Sequence, residues 1–160
     1  MLNVNVICVG KLKETYWTQA CAEYAKRLRP FCTLRLIEVP ECRLPSQPSD
    51  AQIRKGMQTE GADILSRTGK GDTLIALCVE GKKMSSEGFA QLLSDVATRG
   101  CSTVDLIVGG SFGLSEEVKA RCTYRLSVSD MTFPHQLFRV MLLEQLYRAF
   151  SIQSGTRYHK

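Results

Sequence analysis

Three turns and one chain end carry the residues of this sequence that can do chemistry. Val108-Gly109-Gly110-Ser111-Phe112-Gly113 follows an apolar run. Its glycines permit positive φ and let a ligand approach the backbone with no Cβ in the way. Val108 stands where a dinucleotide fingerprint has its first glycine, and no Gly-Lys-Ser/Thr ending makes it a Walker loop. A tight turn alone explains the three glycines about as well. Gly81-Lys82-Lys83 is a second turn. Ser129-Asp130-Met131-Thr132-Phe133-Pro134-His135 is a third, whose polar side chains and peptide groups suit an adenine edge and ribose hydroxyls. Each follows a strand-like run, and open α/β sheets place ligands at the carboxyl ends of their strands. A cofactor pocket built from all three turns is the expectation. The chain end adds Tyr158-His159-Lys160, although terminal residues seldom need such chemistry. His135, near a helix start, reads as a local donor or cap. No HExxH, paired-carboxylate or Ser-His-Asp pattern supports hydrolysis, and no metal-ligand spacing occurs.

The elements that must position these residues follow from periodicity. Strands are predicted at 4–9, 33–39, 73–79, 103–108 and 124–128, with 73–79 reading as a fully buried central strand. Helices are predicted from Glu14 to Leu28, from a cap at Asp50 to Ser66, from Ser85 or Ser86 to Gly100, briefly after Ser115, and from Pro134 to Phe150 with Thr132 as its cap. Pro40 to Ser49, with three prolines, is a loop. Alternating strands and helices imply an α/β fold: a mostly parallel sheet with helices on both faces, in a single domain spanning residues 1–160. The last helix is apolar on nearly every side. It needs two covering surfaces, the sheet and, by this reasoning, a second subunit.

Composition narrows the class further. Hydrophobic residues make up 44% and charged residues 23%, too apolar for a disordered chain. Twenty-one Lys and Arg against sixteen Asp and Glu leave a formal charge of +5, which favours polyanionic partners without requiring them. Seven cysteines, an odd number with no CxxC, and no signal peptide point to reduced thiols and the cytoplasm. No apolar run approaches the roughly 20 residues that cross a bilayer, so no membrane partner is expected.

The motifs VGKLKETYW (9–17), EYAKRL (23–28), ALCVEGKKMSSEGFA (76–90), LIVGGSFGLSEEV (106–118), LSVSDMTFPHQLFRVMLLEQLYRA (126–149) and the closing YHK (158–160) together resemble one family nearly end to end. It is the ribosomal RNA large-subunit pseudouridine N3-methyltransferases of the SPOUT class. The resemblance implies a trefoil-knotted α/β methyltransferase fold, a homodimer, S-adenosylmethionine as cofactor, and large-subunit (23S) rRNA on the assembled ribosome as partner. Periodicity could not have shown a knot, and the general rule argues against one. By position, the resemblance places Leu77, Gly109, Gly110, Ser129, Asp130, Met131, Thr132, Phe133 and Pro134 at the cofactor, with Gly109 allowing the turn. One departure stands out: the family commonly has proline before the Tyr-His pair, and this chain has Arg157.

Methyl transfer from a sulfonium to the imide N3 of pseudouridine needs in-line positioning and loss of a weakly acidic proton. His159 is the candidate proton acceptor or positioner, and Tyr158 the candidate base contact. Arg139, Arg157 and Lys160 are candidates for RNA phosphates or a developing anion. The rival expectation is a catalytically silent RNA-binding or ribosome-associated protein, which the basic charge fits equally well.

Overall fold

The computed structural model describes residues 1–160. In chain order it comprises β1 (Leu2–Val9), α1 (Thr15–Leu28), β2 (Cys32–Val39), α2 (Asp50–Ser66), β3 (Thr73–Lys83), α3 (Ser86–Thr98), β4 (Thr103–Val108), α4 (Glu116–Arg121), β5 (Tyr124–Ser127) and α5 (His135–Gln153). The sheet order is β2-β1-β4-β3-β5. Every neighbouring pair is parallel, so the sheet is wholly rather than mostly parallel. Its middle strand is β4, whose six residues TVDLIV are β-branched at four positions and buried from Val104 onward. β3 is buried only from Leu74 to Leu77 and is exposed by Val79, because there it leaves the shelter of the helices.

Helices cover both faces. On one, Val6, Leu106 and Ile75 pack with Cys21 of α1, Leu93 of α3 and Leu143 of α5. On the other, Ile7, Ile107 and Ala76 pack with Ile64 of α2 and Val118 of α4. The alternation of strand side chains between faces divides the core in this way. No residue of α5 from Gln136 to Ile152 is exposed. α5 lies between α1 and α3, and Tyr158 of the chain end packs edge-on against Tyr147 at 4.7 Å. This chain's own helices and tail thus cover part of the surface assigned above to a second subunit.

Local chemistry shifts several boundaries. Ser49, not Asp50, caps α2: its hydroxyl accepts from Gln52 N at 3.2 Å and the Gln52 side chain takes the Ser49 N–H at 2.9 Å. This reciprocal box satisfies two donors that a helix start leaves free. Ser49→Ala is expected to lower stability by about 1 kcal/mol, measured by denaturant titration, whereas Asp50→Ala leaves this box intact. Thr132 caps nothing; the residue before α5 is Pro134, with no side-chain cap. α5 also runs on past Phe150 to Gln153. No helix is long and apolar enough to cross a membrane.

A polar pair sits inside the sheet. Asn5 and Asp105 face each other across β1 and β4, and Asn5 Nδ2 donates to Asp105 Oδ1 at 2.7 Å. Asp105 is wholly buried and its Oδ2 receives no hydrogen bond from any N–H or hydroxyl.

Candidate active site

Beyond Leu77, β3 makes an excursion. Leu77 and Lys82 both register with Leu126 of β5, so Cys78 to Gly81 loop outward before the strand resumes. Gly81 lies directly on β5: a Cβ there would sit 2.5 Å from the Leu126 carbonyl carbon and 2.6 Å from its nitrogen. The glycine turn after β4 is similarly close-packed. A Cβ on Gly109 would lie 2.6 Å from the Gly113 carbonyl carbon, and Gly113 takes φ +86°. Gly113 N closes the turn by donating to Gly110 O at 3.0 Å. Close chain approach, more than room for a ligand, therefore explains Gly109.

These two turns and the loop after β5 enclose one cavity of about 500 Å3 at the carboxyl ends of β3, β4 and β5. Leu77, Gly109, Gly110, Ser129, Met131, Thr132 and Phe133 all line it. Asp130 and Pro134 do not. Asp130 points outward and pairs with Lys83 Nζ at 2.6 Å, both side chains being exposed; such a pair stabilises by at most about 1 kcal/mol. The loop is shaped from within by Ser127 Oγ donating to Ser129 O and by Met131 N donating to Ser129 Oγ. The peptide N–H groups of Thr132 and Phe133 donate to no group of the chain, so main-chain donors remain for a ligand.

His135, which closed the third turn in the sequence, also lines the cavity, and further wall residues escaped sequence reasoning: Val79, Glu80, Lys119, Val128 and Phe138. The one available signal was their place at strand ends or in a helix's first turn. Lys119 Nζ is held by Glu80 at 2.6 Å and Glu116 at 3.0 Å. The Lys119 ammonium correspondingly keeps the Glu80 carboxyl below its usual range. Glu80 is thus an ionised acceptor at the cavity wall.

Tyr158 and His159 lie elsewhere. Tyr158 Oη donates to Glu144 at 3.1 Å and its ring lies under the Arg148 guanidinium at 4.7 Å. Burial, reinforced by Glu144, pushes its phenol up to about 12. His159 bridges Arg148 (Nδ1, 3.3 Å) and Glu87 (Nε2, 2.7 Å). Arginine can only donate, so Nδ1 accepts and the Nε2–H points at the Glu87 carboxylate. The tail is therefore pinned along the α3–α5 ridge, and neither side chain lines the cavity. Arg157 and Lys160 are exposed at this end. Arg139 is corrected: it is 4% exposed and internal, giving Glu38 a 2.8 Å ion pair and the Gly10 carbonyl a 3.1 Å hydrogen bond. A guanidinium so enclosed anchors α5 to the ends of β1 and β2 and offers nothing to a phosphate. No group of three or more His, Cys, Asp or Glu side chains is placed to hold a metal ion.

Comparison with known proteins agrees with this architecture. A family model described as "Predicted SPOUT methyltransferase" matches residues 2–159. The chain belongs to the SPOUT methyltransferase family and is, as its class defines, a methyltransferase. Among solved structures it is similar to one titled as a probable methylase family protein from Haemophilus influenzae Rd KW20, with a TM-score of 0.56 and 12% identity over 99% of this chain and 71% of that one. At that identity the likeness concerns the fold.

Proposed function

We propose that this protein transfers a methyl group from S-adenosylmethionine to N3 of a pseudouridine in 23S rRNA, on the assembled ribosome in the cytoplasm, and that it works as a homodimer with a trefoil-knotted chain. The observation that carries the reading is the convergence of the β3 excursion at Cys78 to Glu80, the glycine turn after β4 and the loop after β5 on one cavity, which Gly81, Lys82 and Lys83 do not line. Its size lies within the range of small-molecule sites, and its mix of apolar wall, free peptide donors at Thr132 and Phe133, and ionised Glu80 fits a nucleoside with an apolar, bent tail. Leu77, Gly110, Ser129, Met131, Thr132 and Phe133 would hold it, with Asp130 and Pro134 shaping the loop. The chemistry supplied by bound S-adenosylmethionine is a methyl group on a sulfonium already activated to leave. The protein's share is then to orient the acceptor in line and exclude water.

Val79, Val128 and Met131 expose apolar surface around the cavity mouth, which a second copy would cover. Tyr158 and His159 could serve the cavity only from such a copy or after leaving the α3–α5 ridge. Released from Arg148 and Glu87, the His159 imidazole would offer one ring nitrogen as the proton acceptor. The pinned tail equally favours the second reading, an RNA-binding protein without turnover. Labelled methyl transfer to ribosomes lacking the modification, with free rRNA and tRNA alongside, separates the two. The expected result is label in N3-methylpseudouridine from ribosomes only; saturable cofactor binding with no label on any RNA would favour the silent reading.

A further inference from the structure

A second cleft of about 920 Å3 opens at the carboxyl ends of β1 and β2. Ser111 and Phe112 form a wall common to both cavities. Glu60 of α2 lines the second one and is only 9% exposed. Its Oε2 accepts the Cys42 peptide N–H at 2.9 Å, while Oε1 receives no hydrogen bond from the chain. Burial raises the Glu60 carboxyl above its usual range despite that N–H. Oε1 is not sealed from solvent, so at the wall of the cleft it is free to accept a ligand N–H.

The rim is basic. Lys11, Lys13 and Arg43 line the cleft, are exposed, and form no ion pair. The remaining carboxylates there are engaged: Glu38 by Arg139 and the Leu12 N–H, Glu41 by the Ser111 hydroxyl at 3.0 Å. The loop bearing Lys11 and Lys13 is held at three points. Gly10 N donates to Val39 O at 2.8 Å, Arg139 donates to Gly10 O, and Lys13 N donates to Gln136 at 2.7 Å. Phe112 on the shared wall is 51% exposed, and a half-exposed aromatic beside cations is the arrangement on which unpaired bases stack.

We propose that this cleft is the acceptor-RNA subsite, with a splayed base on Phe112, an N–H of that base on Glu60 Oε1, and flanking phosphates on Lys11, Lys13 and Arg43. It rests on the methyltransferase reading above and adds where the RNA lies. An acidic peptide fits less well, because it would bring carboxylates toward Glu60 and Glu41 and has no need of a stacking face.

The test is fluorescence anisotropy of a labelled single-stranded RNA containing one pseudouridine, across salt concentrations, with cofactor affinity measured in parallel. The triple variant Lys11→Ala/Lys13→Ala/Arg43→Ala should bind RNA at least about tenfold more weakly and lose about two to three units of salt slope. A control triple, Lys26→Ala/Arg29→Ala/Lys70→Ala, removes the same charge near the opposite sheet edge and should change affinity less than about threefold, since non-contacting charge acts only through the general field. Phe112→Ala should weaken RNA binding about tenfold, and Glu60→Gln, with its melting temperature checked, should weaken it while cofactor affinity holds. Equal losses in the two triples, or cleft variants that bind RNA like wild type, overturn the assignment. Failure of the methyltransferase reading shows separately, as no saturable S-adenosylmethionine binding by the wild type; the cleft assignment then stands or falls on the RNA titrations.

Discussion

Replacing Gly81 with alanine is expected to cost about 3 kcal/mol or more, the upper end for overpacking. That corresponds to a melting temperature lower by about 6–12 °C for a domain of this size. The added Cβ would meet Leu126 C, Leu126 N and Arg125 C at 2.5, 2.6 and 2.8 Å. All three are backbone atoms, so no side-chain rotation relieves the clash, and β5 itself must move. Leu126 and Ser127 of β5 line the cavity proposed above for the cofactor, so on that proposal affinity for S-adenosylmethionine should fall with stability. Gly88→Ala is the comparison: its nearest contact is the Met84 Cβ at 3.3 Å in a surface turn of α3, and alanine is a better helix former. Thermal melts of the two variants decide the point. If Gly81→Ala melts with the wild type, the packing of the β3 excursion on β5 is not as described.

The second large effect is a dependence of stability on pH centred on Asp105. Burial raises this carboxyl to about 6, against the opposing Asn5 hydrogen bond, and Asp72 reinforces the shift. Its Oδ2 has no partner in the chain, so nothing there stabilises a second carboxylate oxygen in the ionised form. The sign follows from linkage. Between the unfolded value of about 4 and the folded value, the folded state holds more protons, so stability falls as pH rises through this window. The loss is about 2–3 kcal/mol and is complete above the folded pKa. Asp105→Asn keeps an oxygen for Asn5 and removes the ionisable group. This variant should be flatter than wild type from pH 4 to 8 and more stable at neutral pH. Parallel urea titrations at several pH values measure the difference. Two curves with the same slope would remove Asp105 as the source.

Elements were legible where one physical signal dominated. The β-branched run of β4 and the helical spacing of α1 set those elements within a residue or two. Boundaries failed where tertiary contacts outweigh propensity. Gly81-Lys82-Lys83 reads as a turn, yet β5 offers that backbone a ladder, so it extends β3. Ser49 and Asp50 are both good caps, and the Gln52 side chain decides for Ser49. Seven of the nine proposed cofactor residues reach one cavity because the turns all follow parallel strands, whose carboxyl ends share an edge. Asp130 turns away because solvent and Lys83 satisfy its charge more cheaply than the cavity would.

Period and turn chemistry, both local properties, thus determined from the sequence alone that the chain is an α/β domain with a candidate site at its strand ends, and its motifs carried the resemblance to a methyltransferase family. Only the tertiary structure decided that Arg139 is an internal anchor, that Tyr158 and His159 rest on the α3–α5 ridge, and that Glu60 lies in a second cleft. A side chain's charge and shape are written in the sequence. Whether it meets water, a carboxylate or a cavity depends on residues a hundred positions away, as Arg139 and Glu38 are.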